Sequence, residues 1–314
     1  MKKILFLLLL GFNSFIYAQK AQEFPVLKGD YFGQTPPGDA AVIFAPGIIS
    51  RTDRAELKIA FSPDGNECYF YADGSNGVGI YYTKRVNNTW TEQVIAPFSL
   101  NHVTTDPFFS ADGKRLYFTY NTTDWSGGDI WFVERTKEGW GEPQLLPSPI
   151  NSDFKDWSYT ETTDGVAYIQ SNRPGGFGGF DIWRIGRLSN LSLKAENLGP
   201  IINSTGMDLS PCIAPDGSYL IFSSVRPGAF SIQDLYICFN KGDTGWTDPV
   251  NMEITGARIN IAGYNQVCPS LSPDGKFLFF CNHAQSGDKR DIYWVSTKVI
   301  DDIKKEVFNP KGTK

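Results

Sequence analysis

The sequence predicts an all-β fold, a β-propeller of five four-stranded blades. Three observations predict it: a turn motif that recurs five times, strand-like runs on both sides of every copy, and a composition suited to short strands. Of 314 residues, 41% are hydrophobic and 20% charged, the balance of a folded chain rather than a disordered one. Aromatics reach 14%, and 31 Gly with 19 Pro argue against a helical bundle and for many turns. The formal charge of −5 gives no general attraction for nucleic acid or anionic membranes.

The repeated motif is Ser62-Pro63-Asp64-Gly65, Ser110-Ala111-Asp112-Gly113, Thr162-Thr163-Asp164-Gly165, Ala214-Pro215-Asp216-Gly217 and Ser272-Pro273-Asp274-Gly275. Pro presets φ for a turn, Asp bonds its own backbone, and Gly accepts positive φ, so each copy should join two antiparallel strands, A and B. Strand B is rich in aromatic and branched residues, as in Leu116-Tyr117-Phe118 and Phe277-Leu278-Phe279-Phe280. Strand C opens with Asp in four units: Asp129-Ile130-Trp131, Asp181-Ile182-Trp183, Asp234-Leu235-Tyr236 and Asp291-Ile292-Tyr293. The first unit has Gly79-Ile80-Tyr81 instead. A Trp-Pro segment (Trp140 with Pro143, Trp246 with Pro249) leads into strand D, and units close with Ile150-Asn151, Ile202-Asn203 or Ile259-Asn260. One such sheet cannot bury both faces, but a radial stack of them can.

These units resemble the WD40-like Pro-Asp-Gly repeats of the TolB propeller type found in secreted bacterial proteins, over about residues 50–297. The resemblance implies the fold and says little about activity, because propellers host unrelated functions.

The N-terminus reads as a secretory signal peptide, residues 1–18: Lys2 and Lys3, an apolar run from Ile4 to Leu10, and small Ala18 before Gln19. Without a Cys near that point, a lipoprotein is not expected. The expected location is therefore periplasmic or secreted, with no membrane span after cleavage. Residues 19–40 form an extension, 41–297 the propeller and 298–314 a tail. The segment Ala41 to Ser50 resembles strand D and the exit of a unit, and it should add the outer strand to blade five and close the ring. The rival is a six-bladed ring in which residues 20–50 and 298–314 form a degenerate blade. Ile300, Ile303 and Val307 have helical spacing, but the tail can equally supply a strand. Five Cys without a CxxC read as buried free thiols.

Antiparallel blades put the D-to-A and B-to-C loops on one face and the short Asp-Gly turns on the other, which reads as structural. The varied face is the default ligand site. Eight residues before each anchor Asp stand Glu56, Thr104, Asp156, Asp208 and Gln266, with Asp106 two positions further along its strand. Such an acidic mouth suits calcium, a sugar, or a catalytic acid/base pair; the structural alternative is that it bonds backbone amides at the blade entrance. Residues that break the repeat are the other candidates: Arg54, His102, Trp157, Arg173, Arg226, Tyr264 and His283. Arg173 and Arg226 can clasp a carboxylate, and Trp157 and Tyr264 can stack on a sugar or a peptide side chain. The alternative is that each Arg pairs with a strand-C Asp such as Asp181 or Asp234, and that the aromatics pack between blades.

Two His cannot build a multi-His metal centre, no Gly-x-Ser-x-Gly elbow occurs, and Gly175 to Gly179 lacks dinucleotide-loop spacing. No cofactor is expected. The first functional expectation is a non-catalytic binding module for a protein, peptide or glycan. The alternative is a glycosidase or polysaccharide lyase, with Asp106, Asp156 and Asp208 as acid, base or stabiliser and His102 or Tyr264 assisting.

Overall fold

The computed structural model describes residues 24–309 apart from Asn76, Asn101, residues 188–191 and residues 286–288. The expected signal peptide lies outside these residues. Five antiparallel sheets follow one another along the chain. Strands A are Arg54–Phe61, Val103–Phe109, Asp156–Glu161, Asp208–Ile213 and Tyr264–Leu271. Strands B are Glu67–Gly74, Arg115–Asn121, Ala167–Ser171, Tyr219–Ser224 and Phe277–Ala284. Strands C are Gly77–Val86, Asp129–Glu134, Asp181–Arg187, Asp234–Phe239 and Arg290–Ser296. Outermost lie Gln144–Leu145, Leu193–Asn197 and Val250–Asn251 in blades two to four. In blade one two short pieces, Thr89–Trp90 and Val94–Ile95, share the outer place.

The ring is five-bladed, and its closure is the one expected. Val42–Ile43 pairs with Trp294 and Tyr293 as the fourth strand of blade five. The tail is a helix, Lys298–Phe308, whose Val299, Ile300 and Ile303 pack onto the blade four core. The extension also serves closure. Tyr31 lies edge-on to Phe61 of blade one and Phe277 of blade five, and its hydroxyl donates to Asp274 at 3.0 Å.

Repeated side chains explain the repeated sequence. Gly65 takes φ 68°, the Ser62 hydroxyl donates to Asp64 at 2.5 Å, and the Asn66 amide donates to Asp64 at 3.0 Å. The closing Asn is a clamp on strand C: the Asn151 side chain accepts from the Ile130 amide and donates to the Ile130 carbonyl, both at 2.8 Å. Asn203 clamps Ile182 and Asn260 clamps Leu235 in the same way. Ser50 does so for Ile292, across the closure. The Asp that opens strand C holds the B-to-C loop: Asp181 accepts from the Phe177 and Gly178 amides, and Asp234 from those of Phe230 and Ser231.

Neighbouring blades are stitched at the loop-rich face. The carbonyls of Gly128, Phe180 and Gln233 each accept from the first or third residue of the next strand A, Asp156, Asp208 and Gln266. Gly178 belongs to this seam. A Cβ there would stand 1.8 Å from the Gly206 carbonyl oxygen, a backbone atom that cannot swing away. Gly178→Ala is therefore expected to destabilise the fold by about 1–3 kcal/mol through overpacking, read as a lower melting temperature. An unchanged melting temperature would mean the two loops do not meet as described.

Candidate functional site

Every strand A carries a register break between the residue eight before the anchor Asp, or its neighbour, and the residue four or five before it. The break is a β-bulge, which bends the strand and re-aims a side chain. Residues six before the anchor Asp are Lys58, Asp106, Ser158, Ser210 and Cys268, and the last four have φ between 49° and 56°. They converge on the axis. Cys268 Sγ of blade five lies 3.9 Å from Asp106 Oδ1 of blade two and 3.8 Å from Ser210 Oγ of blade four. Of the acids named as candidate catalysts, Asp106 is thus the one in the channel.

The carboxylates eight before the anchor are wholly buried and already engaged. Asp156 accepts from the amide and hydroxyl of Ser152, both at 2.7 Å, and from Arg173 at 2.5 Å. Asp208 accepts from the Ser204 amide at 2.5 Å, the Ser224 hydroxyl at 2.6 Å and Arg226 at 2.9 Å. Glu56 accepts from Arg54 at 2.7 Å; burial raises its carboxyl, against the pull of that guanidinium. These acids tie the D-to-A loop to strand A, which is the amide-bonding alternative weighed above.

The arginines are equally occupied. Arg173 also donates to the carbonyls of Pro149 and Ile150 and to Ser171. Arg226 donates to the Ile202 carbonyl and Ser224, and Arg54 to the Ile48 and Ile49 carbonyls and Gln93. The expected partners Asp181 and Asp234 are corrected: each Arg pairs with the strand-A Asp of its own blade, because the strand-C Asp faces loop amides. Trp157 stacks on Phe180 at 5.2 Å and presses on Gly128, so it packs between blades. The His102 ring is bonded to the Tyr120 hydroxyl. His283 sits in strand B of blade five opposite Asn265 and Arg290. Tyr264 opens strand A of blade five and is exposed.

Two surfaces remain. The loop-rich face carries Trp125, Phe154, Phe177, Met207, Phe230 and Ile232 exposed beside Tyr264. Their loops touch in sequence round blades two to five: Lys155 Nζ donates to the Trp125 carbonyl, Gly179 to Gly206, and Gln285 to Ser231. The second is a cavity of about 280 Å³ in the channel, opening among the Asp-Gly turns. The turn face, expected to be purely structural, therefore holds a pocket. Its walls include Pro107, Phe108, Pro215, Pro269 and Leu271, and Lys58 lines it. Among the described residues, no group of three or more His, Cys, Asp or Glu gathers as a metal site. All five Cys are buried and unbridged, and burial raises the Cys212 thiol to about 11 and that of Cys268 to about 12.

Ring, channel and loop-rich face define the chain as a five-bladed β-propeller. No family model matches the sequence, and no curated protein is detectably similar. Solved structures share the fold. An α-L-arabinofuranosidase from Lactobacillus brevis superposes with a TM-score of 0.50 at 15% identity, covering 77% of this chain and 90% of that one. The catalytic domain of an α-L-arabinofuranosidase from Coprinopsis cinerea gives 0.50 at 11% identity, covering 82% and 98%. TolB from Acinetobacter baumannii gives 0.45 at 16% identity, covering 77% of this chain and 57% of TolB. At such identities the likeness is one of fold alone.

Proposed function

We propose that the chain is a non-catalytic, extracytoplasmic binding module whose loop-rich face docks an apolar surface of another protein. One observation carries this reading. Of the six exposed Phe, Trp and Tyr side chains among the described residues, five (Trp125, Phe154, Phe177, Phe230 and Tyr264) stand on that face, and Phe308 lies on the C-terminal helix. Phe177 is 47% exposed and Phe230 58%. Aromatic side chains clustered on one rigid face mark interaction sites. A protein suits the arc better than a glycan, because Met207 and Ile232 interrupt the ring platforms and the Arg54, Arg173 and Arg226 guanidinium groups are already paired.

The carbohydrate-active reading has less to stand on. Asp156 and Asp208 lie against arginines and amides, which leaves them poorly placed to trade protons with a substrate. No helix among the described residues is long and apolar enough to cross a membrane. The extracytoplasmic location rests on the leader expected at residues 1–18.

The test is a photoreactive side chain at position 230 in the host cell, with the crosslinked partner identified by mass spectrometry. Phe177→Ser with Ile232→Ser should then lower the yield of that same adduct about tenfold, as loss of central apolar anchors does. Phe308→Ser should leave it unchanged. Equal adduct from all three proteins, or no discrete adduct, would remove the assignment.

A further inference from the structure

A second site lies on the opposite face, independent of the docking arc. Lys58 is only 2% exposed, and its ammonium has no hydrogen-bond partner. Among the described residues no carboxylate stands within ion-pairing distance of it, whereas the buried guanidinium groups of Arg54, Arg173 and Arg226 each have one. The nearest thiols, Cys212 and Cys268, are held neutral by burial. Asp106 is bonded to the Thr105 hydroxyl, and Glu161 on the cavity wall accepts from the Tyr159 hydroxyl. A buried cation without a direct ion pair or hydrogen bond is destabilising. A fold that keeps one in the lining of a cavity holds a place for an anion.

The cavity sets the class of that anion. Its wall is mainly apolar, with five prolines and three phenylalanines contributed around the ring, and it opens to solvent between the Asp-Gly turns. Two polar groups of the lining are buried without a hydrogen-bond partner, the Lys58 ammonium and the Thr160 hydroxyl. One cation and one hydroxyl match the two oxygens of a monoanion. A phosphate dianion would require more donors than these, beside the carboxyl of Glu161. A few polar groups set in an apolar wall is the usual plan of a small-molecule pocket, and this volume lies just below the usual range, which restricts the ligand to a small one. We propose that the turn-side channel binds a small apolar monocarboxylate, such as a medium-chain fatty acid, with its carboxylate on Lys58 and Thr160.

The experiment titrates the full chain with decanoate by calorimetry, against methyl decanoate and decyl phosphate. Decanoate should bind with one-to-one stoichiometry, methyl decanoate at least about tenfold more weakly, and Lys58→Met should lose about tenfold in decanoate affinity while leaving methyl decanoate unchanged. Tighter binding of decyl phosphate, equal binding of decanoate and its ester, or equal binding by the variant would each overturn the proposal, as would no binding at millimolar decanoate. Reductive methylation followed by mass spectrometry needs no variant. Decanoate should protect Lys58 relative to exposed Lys114, and absence of protection counts against the site.

Discussion

Arg173→Ala and Arg226→Ala are each expected to destabilise the protein by about 3–5 kcal/mol, because each strands a wholly buried carboxylate without its counter-charge. In a chain of this size that lowers the melting temperature by roughly 10 °C, measured by circular dichroism. Asp156 keeps its bonds from Ser152, and Asp208 those from Ser204 and Ser224, so the loss is that of the charge partner and of the arginine's bonds to Pro149, Ile150 or Ile202. The paired change Asp208→Asn with Arg226→Met removes both charges and retains an oxygen for the Ser204 amide. It should recover part of the loss. The outcome separates two roles for the same residues. Rim arginines waiting for a ligand would leave the melting temperature within about 1 °C of the parent when removed, as surface changes generally do.

How far the sequence revealed this arrangement depends on whether a contact is local. The Asp-Gly bend was legible because its chemistry lies within four residues, and the closing strand Val42–Ile43 because it copied the end of a unit. The Ile-Asn ending was visible as a pattern, but its reason was not: Asn151 reaches strand C across 21 positions. The arginine partners were misassigned although a signal existed. Asp156 occurs with Arg173 and Asp208 with Arg226, while the units with Thr104 or Gln266 in place of the acid have no arginine ending strand B. That co-occurrence within a blade points to strand A rather than strand C. Lys58 was missed for another reason. A bulge depends on pairing with a partner strand and leaves no local mark, so Leu57-Lys58-Ile59 reads as ordinary alternation. Aligning the units six before the anchor Asp would have exposed a column of Lys, Asp, Ser, Ser and Cys, too polar for a core position. The apolar arc was spread through five loops of different length, which no periodicity gathers.

Phe44→Ala should have the other large effect, about 3–5 kcal/mol, and should show where the ring opens. Phe44 is fully buried between the first and last blades, with ring contacts to Phe61, Phe279 and Trp294, and to Phe32 of the extension. Its amide donates to the Ile292 carbonyl, and the two preceding residues form the short strand that pairs with the outer edge of blade five. Removing the ring weakens the one place where strands distant in sequence share a sheet. Local opening is therefore expected ahead of global unfolding, because regions with fewer apolar contacts open at lower free energy. In hydrogen exchange, the amides of Arg290–Ser296 and of strand A of blade one, Arg54–Phe61, should lose protection first. Phe118→Ala removes an equally buried ring inside the contiguous chain of blade two and should cost a similar amount. There the protection of Arg290–Ser296 should fall only as far as global stability falls. If Phe44→Ala lowers the melting temperature yet leaves those amides protected to the same degree as in Phe118→Ala, the strand at Val42–Ile43 is not what holds the circle shut.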